Sequence, residues 1–152
     1  MKETNRIKKL VDDLYDGQPW LDVTILNTLR PLSATQAAKK VSEKWNTIWE
    51  IVNHLVEWRF AVLERVKGNT SDSPDDNYFR PITDPSENAW KQTLSKLEAS
   101  QEAWRNFLDN FNEADFERTY PSNSMSYYEH IHGIIQHDAY HLGQIVLLAK
   151  AA

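Results

Sequence analysis

Three helix-start signals, each followed by a long segment with a helical hydrophobic period, constrain the fold of this chain more than any other feature. Thr47-Ile-Trp-Glu50 and Ser126-Tyr-Tyr-Glu129 match the capping box, in which a hydroxyl and an acidic side chain bond to N–H groups of the first turn. They predict a helix over residues 47–67 and a last helix, starting after Ser124 or Ser126, that ends near Ala149. Asp84-Pro-Ser-Glu87 predicts a further helix, with Asp84 as its N-cap, to about residue 110.

A fourth long helix is predicted near the start of the chain. Residues 4–15 carry an apolar stripe at helical spacing, made of Ile7, Leu10, Val11 and Leu14. Residues 20–40 contain Pro31 and a capping box at Ser33-Ala-Thr-Gln36, which favours short helical turns. Since no segment alternates as a strand would, the 152 residues are predicted to form one all-α domain, a four-helix bundle.

Residues 69–84 separate the second and third long helices. They contain Pro74 and Pro81 and have no hydrophobic period, so they are predicted to form a long irregular connection. When extended, such a segment reaches about 50 Å, more than the roughly 30 Å of a 20-residue helix. It can therefore run the length of the bundle and let the helices on either side lie parallel.

Composition excludes several classes of function. The formal net charge of −5 opposes binding to phosphate backbones, so nucleic acid is not an expected partner. No apolar run approaches the 18 or so residues that a membrane span requires, and no apolar segment follows the charged residues 1–9. A cytoplasmic protein without membrane association is expected. The chain has no cysteine, which excludes thiolate ligation of a metal.

Three histidines form a candidate metal site. His137 and His141 lie four residues apart in the predicted last helix, which places their rings on one face about 6 Å apart along the axis. His54 lies on the predicted second long helix and points into the interior of the bundle. A divalent ion accepts the lone pairs of three such rings at once. The alternative is a set of core histidines that bond to one another, because this spacing also arises by chance on helices.

Other side chains on the same face are candidates for the surroundings of the site. His130 lies about 10 Å from His137 along the axis, too far to bind the same ion but within reach of a substrate. Tyr140 could donate a hydrogen bond to a substrate or pack half-buried. Gln144 is expected to hold a ring or a backbone group in place. Gly133 leaves room for a ligand or serves helix packing, and His132, on the opposite side, is predicted to be exposed.

Two carboxylates are candidate partners of the imidazoles. Asp138 points sideways from the histidine face, and is expected to pair with another helix or to orient a ring. Glu57 is a candidate acceptor beside His54, and no residue is assigned as a general base. Among the tryptophans, Trp49, Trp58, Trp90 and Trp104 are expected in the core. Trp20 and Trp45 are expected to clamp the residues 20–40 against the bundle.

Two stretches resemble the second-helix and last-helix motifs of the DinB/YfiT-like superfamily. They are Ile48-Trp-Glu-Ile-Val-Asn-His54-Leu-Val-Glu-Trp58-Arg and Ile135-Gln-His137-Asp-Ala-Tyr-His141-Leu-Gly-Gln144-Ile. Trp20 and Leu32-Ser33 are similar to the linker of that family. The resemblance implies an up-down-down-up order of four helices. It also implies a metal site of three histidines, often with zinc or nickel, which corresponds to His54, His137 and His141.

The resemblance implies a function as well. Characterised relatives join low-molecular-weight thiols to electrophiles or use thiols in isomerisation, and many form homodimers. A metal-dependent S-transferase or hydrolase-like enzyme acting on a small molecule is therefore expected, since three neutral nitrogens leave coordination positions open. Two alternatives stay open: a non-enzymatic metal-binding or stress-response bundle, in which the ion is structural, and a bundle without a metal.

Overall fold

Side-chain caps define where most of the helices begin in the computed structural model, which describes residues 1–152. The helices are α1 (Glu3–Tyr15), α2 (Ile25–Leu29), α3 (Ala34–Ala37), α4 (Ile48–Val66), α5 (Glu87–Asn110) and α6 (Tyr127–Ala151). The predicted capping boxes of α3, α4 and α6 are all formed, with Ser33, Thr47 and Ser126 as N-caps. The all-α fold is confirmed. None of the helices is long and apolar enough to cross a membrane.

The start of α5 differs from the prediction. Ser86 is the N-cap, and its side chain accepts a hydrogen bond from the backbone N–H of Ala89. Asp84 lies outside the helix, where its Oδ1 accepts from the N–H of Ser86 at 3.1 Å. The prediction of Asp84 as N-cap is wrong because both residues have capping side chains, and the nearer Ser86 reaches the amides of the first turn.

The long helices pack as a bundle in which α4 contacts both α5 and α6, and α1 contacts the same two helices. One cluster of the core surrounds Trp49, Leu55, Trp90 and Leu142. A second cluster surrounds Ile7, Trp104 and Ile131. Since α4 and α6 contribute to both clusters, apolar side chains pack along the whole boundary between these two helices.

Residues 20–40 are held by aliphatic side chains and not by the two tryptophans expected to clamp them. Ile25 and Leu29 of α2 are buried in the core, whereas Trp20 is 100% exposed and Trp45 is 58% exposed. The predicted clamp is therefore wrong. Trp90 of α5 contributes to holding the segment instead, because its Nε1 donates to the backbone oxygen of Leu32 at 3.0 Å.

Candidate metal centre

Three histidines from two helices meet at the boundary between α4 and α6. His54 lies inside α4, and His137 and His141 lie one turn apart on α6. The Nε2 atom of His54 is 2.9 Å from that of His137 and 3.0 Å from that of His141. Each ring offers one potential ligand atom, and these three atoms lie within 4.8 Å of one another. The structure thus brings together the three histidines selected from the sequence.

A bond to the main chain decides which nitrogen of His54 carries the proton. Nδ1 lies 2.7 Å from the carbonyl oxygen of Asn77. Because a carbonyl oxygen only accepts, Nδ1 donates, and Nε2 is left with its lone pair directed at the other two rings. Burial lowers the pKa of His54 from 6.5 to about 4, so the ring is neutral at neutral pH.

His141 is held in the same way by a side chain. Its Nδ1 lies 2.7 Å from Oε1 of Gln144, and the amide nitrogen of Gln144 donates to the hydroxyl of Tyr140 at 3.2 Å. This orientation of the amide leaves its oxygen to accept from Nδ1 of His141, so the Nε2 atom of that ring also carries a lone pair. Burial lowers the pKa of His141 as well, which favours the neutral ring.

The two lone pairs of His54 and His141 face each other across 3.0 Å. Two acceptors at this distance repel each other unless a cation or a proton lies between them. Between two neutral rings, such a proton would have to leave Nδ1 and break the bond to Asn77 or Gln144. An added proton would charge a buried ring, which burial disfavours since it lowers the pKa of both His54 and His141. A divalent ion about 2.0–2.1 Å from each nitrogen would accept both lone pairs and that of His137 without breaking either bond. The donor set therefore fits a metal, and the triad could bind one.

Asp138 lies next to the triad but is directed at another partner. It is 3% exposed, and its Oδ2 accepts from Nε and Nη2 of Arg59, each at 2.8 Å. Its Oδ1 makes no hydrogen bond and lies 3.9 Å from Nδ1 of His137, another buried atom without a partner. Asp138 thus joins α6 to α4 and is positioned beside His137, and its carboxylate does not line the cleft described below.

The connection between α4 and α5 covers one side of the triad. The ring of Phe79 stacks on that of His54, with centroids 3.9 Å apart and planes inclined by 9°. Trp58 donates from Nε1 to Oδ1 of Asn77 at 2.9 Å, which fixes the loop that supplies the carbonyl for His54. Asn77 and Tyr78 both have positive φ, at 50° and 62°. The sequence prediction missed this cover, although an Asn in an irregular segment is a known signal for left-handed backbone.

The other side of the triad opens into a cleft of about 450 Å³ between α4 and α6, and the site candidates differ in their relation to it. His130, Gly133 and Tyr140 line the cleft together with the triad. Trp58 also lines it, and is only partly buried, so the expectation that it belongs to the core is wrong. Its polar indole nitrogen is needed by Asn77, which keeps the ring at the edge of the interior.

Two further residues lie away from the triad. Glu57 is exposed on α4 and does not line the cleft, so the structure does not bring it to His54. His132 is half-buried and not exposed as predicted, since its ring packs against that of Tyr128 with centroids 4.4 Å apart. Helical spacing could have predicted this contact, because residues four apart are neighbours on the surface of a helix.

Comparisons with known proteins agree with this architecture. The structure is similar to the crystal structure of a conserved protein from Enterococcus faecalis, with a TM-score of 0.73 and 17% sequence identity over 99% of this chain and 96% of that one. At this identity the likeness shows the fold alone. Among curated proteins, none matches the sequence. The sequence profile of the DinB superfamily matches residues 23–145. Because this match includes all three histidines and most of the chain, the protein belongs to the DinB superfamily.

Proposed function

We propose that His54, His137 and His141 hold a divalent cation whose remaining coordination positions face the cleft, and that the protein is a metal-dependent enzyme acting on a small molecule. The observation that carries this proposal is the pair of lone pairs facing each other across 3.0 Å, beside a cleft of about 450 Å³. Zinc and nickel are the proposed ions, since both suit imidazole ligands.

The residues around the triad support a reaction in which the substrate provides its own nucleophile. When bound, such an ion supplies Lewis acidity and lowers the pKa of a coordinated thiol or water. No free carboxylate of the protein is placed to act as a base there. Asp138 is bound to Arg59, and Glu129, which lines the cleft, bonds to the backbone N–H and hydroxyl of Ser126 at 2.7 and 2.8 Å.

This distribution favours thiol transfer over hydrolysis. A low-molecular-weight thiol ionises more readily than water, so it depends less on a protein base. In the proposed reaction the S–H bond of the thiol breaks and its proton is released to solvent. The sulfur attacks an electrophilic carbon and an S–C bond forms, while the bond from that carbon to its leaving group breaks and the leaving group departs with the electron pair. Phe79 and Asn77 exclude water from the covered side of the triad, which leaves the cleft as the route of entry.

We also infer the up-down-down-up order for α1, α4, α5 and α6. Trp49 donates to Thr93 at 2.8 Å and Arg59 donates to Gln101 at 3.0 Å, so contacts advance in the same direction along α4 and α5. Trp49 shares one core cluster with Leu148, whereas Val66 shares the other with Tyr127, so contacts along α4 and α6 advance in opposite directions. Both patterns support a parallel pair of α4 and α5, joined by the long connection that covers the triad. A homodimer and a cytoplasmic location stay predictions.

Metal analysis tests the first step of the proposal. The protein is purified without a metal-affinity tag, and its metal content is measured by mass spectrometry. We expect about one ion per chain in the wild type and a loss of that ion in His137→Ala. His132→Ala is the matched control, since this half-buried histidine lies on α6 outside the triad. Equal metal content in His137→Ala and the wild type would overturn the proposed site.

A structural metal is the second candidate function, favoured by the fact that the triad joins two helices. In that case chelation lowers the melting temperature, but a panel of thiols with electrophilic substrates shows no turnover that depends on the metal. If the metal-loaded wild type consumes thiol and electrophile together, and chelation stops this reaction, the enzymatic proposal is supported instead.

A further inference from the structure

Arg65 is a nearly buried cation at the cleft that the histidine triad shares. It is 9% exposed and belongs to the lining of that cleft. Its hydrogen bond within the protein runs from Nε to the backbone oxygen of Ser71 at 2.9 Å, which uses one of its five N–H donors. Since taking a charge out of water is costly, buried cations normally have a carboxylate partner. The terminal N–H groups of Arg65 have none and are free to bond to a ligand.

Aromatic rings hold the guanidinium of Arg65. Its central carbon lies 5.3 Å from the ring centre of Trp58 and 5.1 Å from that of Tyr120. Cation–π contacts of this kind stabilise a partly desolvated charge and restrict its orientation. A guanidinium that is already ordered loses little entropy when it binds, and its planar fork matches the two oxygens of a carboxylate or a similar oxyanion.

No carboxylate of the protein forms an ion pair with Arg65. Glu129 is the one carboxylate that lines the cleft, and it is bonded to Ser126 at the start of α6. His130 lies against Tyr120, with ring centroids 5.5 Å apart. Burial, and to a smaller extent the charge of Arg65, lower the pKa of His130, so this ring is neutral at neutral pH.

Arg65 and the triad lie at different positions along one face of α4. Eleven residues separate Arg65 from His54, which is close to three full turns and about 16 Å along the helix axis. The cleft that joins them has about 450 Å³, within the roughly 300–1,000 Å³ typical of small-molecule sites. One molecule of moderate length can therefore reach both.

We propose that Arg65 binds an oxyanion of the substrate while another part of the same molecule reaches the histidines, so that the protein acts on acidic small molecules in preference to neutral ones. This inference rests on the proposed function, which places a metal ion at the histidine triad. Arg65 is a binding residue in this scheme, and it takes no part in the bond-making step.

A series of thiols of increasing length tests binding at Arg65 and at the histidine triad together. The ω-mercaptocarboxylic acids from 3-mercaptopropionate to 11-mercaptoundecanoate are titrated calorimetrically into the zinc-loaded protein, beside the ω-mercaptoalcohols of equal length. At one or more lengths we expect the acid to bind about tenfold more tightly than its alcohol, as a charge-assisted bond implies. Arg65→Gln should lose this preference and leave the Kd of the alcohol unchanged. Arg6→Gln, at an exposed arginine on α1, is the matched control for the change of charge.

Arg65→Lys separates binding from a purely structural role. Lysine keeps the charge but not the planar fork, so we expect part of the preference for acids to remain. The melting temperature of each variant is measured beside the binding. Equal binding of acids and alcohols by the wild type at every length, or an unchanged preference in a folded Arg65→Gln protein, would overturn the inference.

Anion binding to the metal-free protein distinguishes failure of this inference from failure of the proposed function. Acetate and inorganic phosphate are titrated while the ring signals of His130 are followed by NMR. We expect shifts in the wild type that are absent in Arg65→Gln. If no thiol binds but these shifts occur, the anion site stands and the metal centre is wrong. If the alcohols bind but neither the shifts nor the preference for acids is seen, the metal centre stands and the anion site is wrong.

Discussion

Two neighbouring clusters of buried polar side chains join α4 to α6, and they differ in whether the protein itself completes their bonding. Arg59 and Asp138 form a closed cluster, in which the guanidinium also donates to Gln101 at 3.0 Å and to Ser100 at 3.3 Å. The histidine triad forms an open cluster, because Nδ1 of His54 and of His141 is bonded to Asn77 and Gln144 while the Nε2 lone pairs of these two rings face each other.

The difference between the clusters indicates different roles. The guanidinium of Arg59 has its carboxylate partner, and Oδ1 of Asp138, the one buried atom of the pair without a hydrogen bond, does not line the cleft. The closed cluster therefore serves the packing of α4 against α5 and α6. Lone pairs that repel one another beside a cleft lower their energy only when a cation arrives. We therefore assign structure to the closed cluster and function to the open one, and the following predictions test this division.

Breaking the closed cluster should have the largest effect on stability. Asp138→Ala leaves the Arg59 charge buried without its partner, which costs about 3–5 kcal/mol. In the metal-free protein, His137→Ala should cost much less, since it removes a ring from a set of repelling lone pairs. Urea denaturation of both variants measures the free energy of unfolding. The division of roles would be contradicted if His137→Ala were the more destabilising change.

Binding of a metal ion to the open cluster should stabilise the protein. Zinc at 100 times its Kd raises the free energy of unfolding by about 2.7 kcal/mol if it binds the native state alone. This gain should disappear in His141→Ala and persist in His132→Ala. Thermal unfolding with and without zinc measures it, and the same gain in His141→Ala would mean that zinc binds elsewhere.

Removing the hydrogen bond at Nδ1 of one histidine should weaken metal binding to the open cluster without abolishing it. Gln144→Leu removes the acceptor that orients His141, and metal affinity should fall about 10–100-fold. Gln136→Leu, at an exposed position on α6, is the matched control. Competition with a zinc chelator measures the Kd. An unchanged affinity in Gln144→Leu would show that the Gln144 bond is incidental.

Acidification should destabilise the metal-free protein through the open cluster. His54 has a pKa of about 4 in the folded state against 6.5 for an ordinary histidine. Between these values the unfolded state binds the proton more readily, so the stability from neutral His54 is complete above about pH 6.5 and is lost as the pH falls towards 4. Urea denaturation from pH 7 to pH 4 measures the slope, which His54→Gln should reduce. An equal slope in this variant would assign the effect to other groups.

Features that depend on neighbouring residues could be predicted from the sequence. The capping boxes at Ser33, Thr47 and Ser126 are formed as predicted, because a cap needs only residues within one turn. The faces of α4 and α6 followed from the helical period, and this was enough to select His54, His137 and His141. The prediction was wrong for Asp84, because two adjacent candidates for the N-cap have nearly the same local signal.

Features that depend on distant segments were missed. The irregular connection was predicted as a spacer, but Asn77 and Phe79 within it bond to and stack on His54. A pairing of Asp138 with another helix was expected, but its partner Arg59 was not identified, and the contact of Arg65 with Tyr120 was not predicted. No local pattern specifies which of several polar residues on two helices will meet, since this depends on the register of the packed helices.

Local signals along the chain already specify an all-α bundle with His54 on the inner face of one helix and His137 and His141 on one face of another, because caps and periodicity act within a few residues. Folding adds which nitrogen of His54 and of His141 faces the centre, which side of the triad is covered and where an unpaired cation lies along the cleft. These properties arise from hydrogen bonds and packing between distant segments, and therefore exist only once the chain is folded.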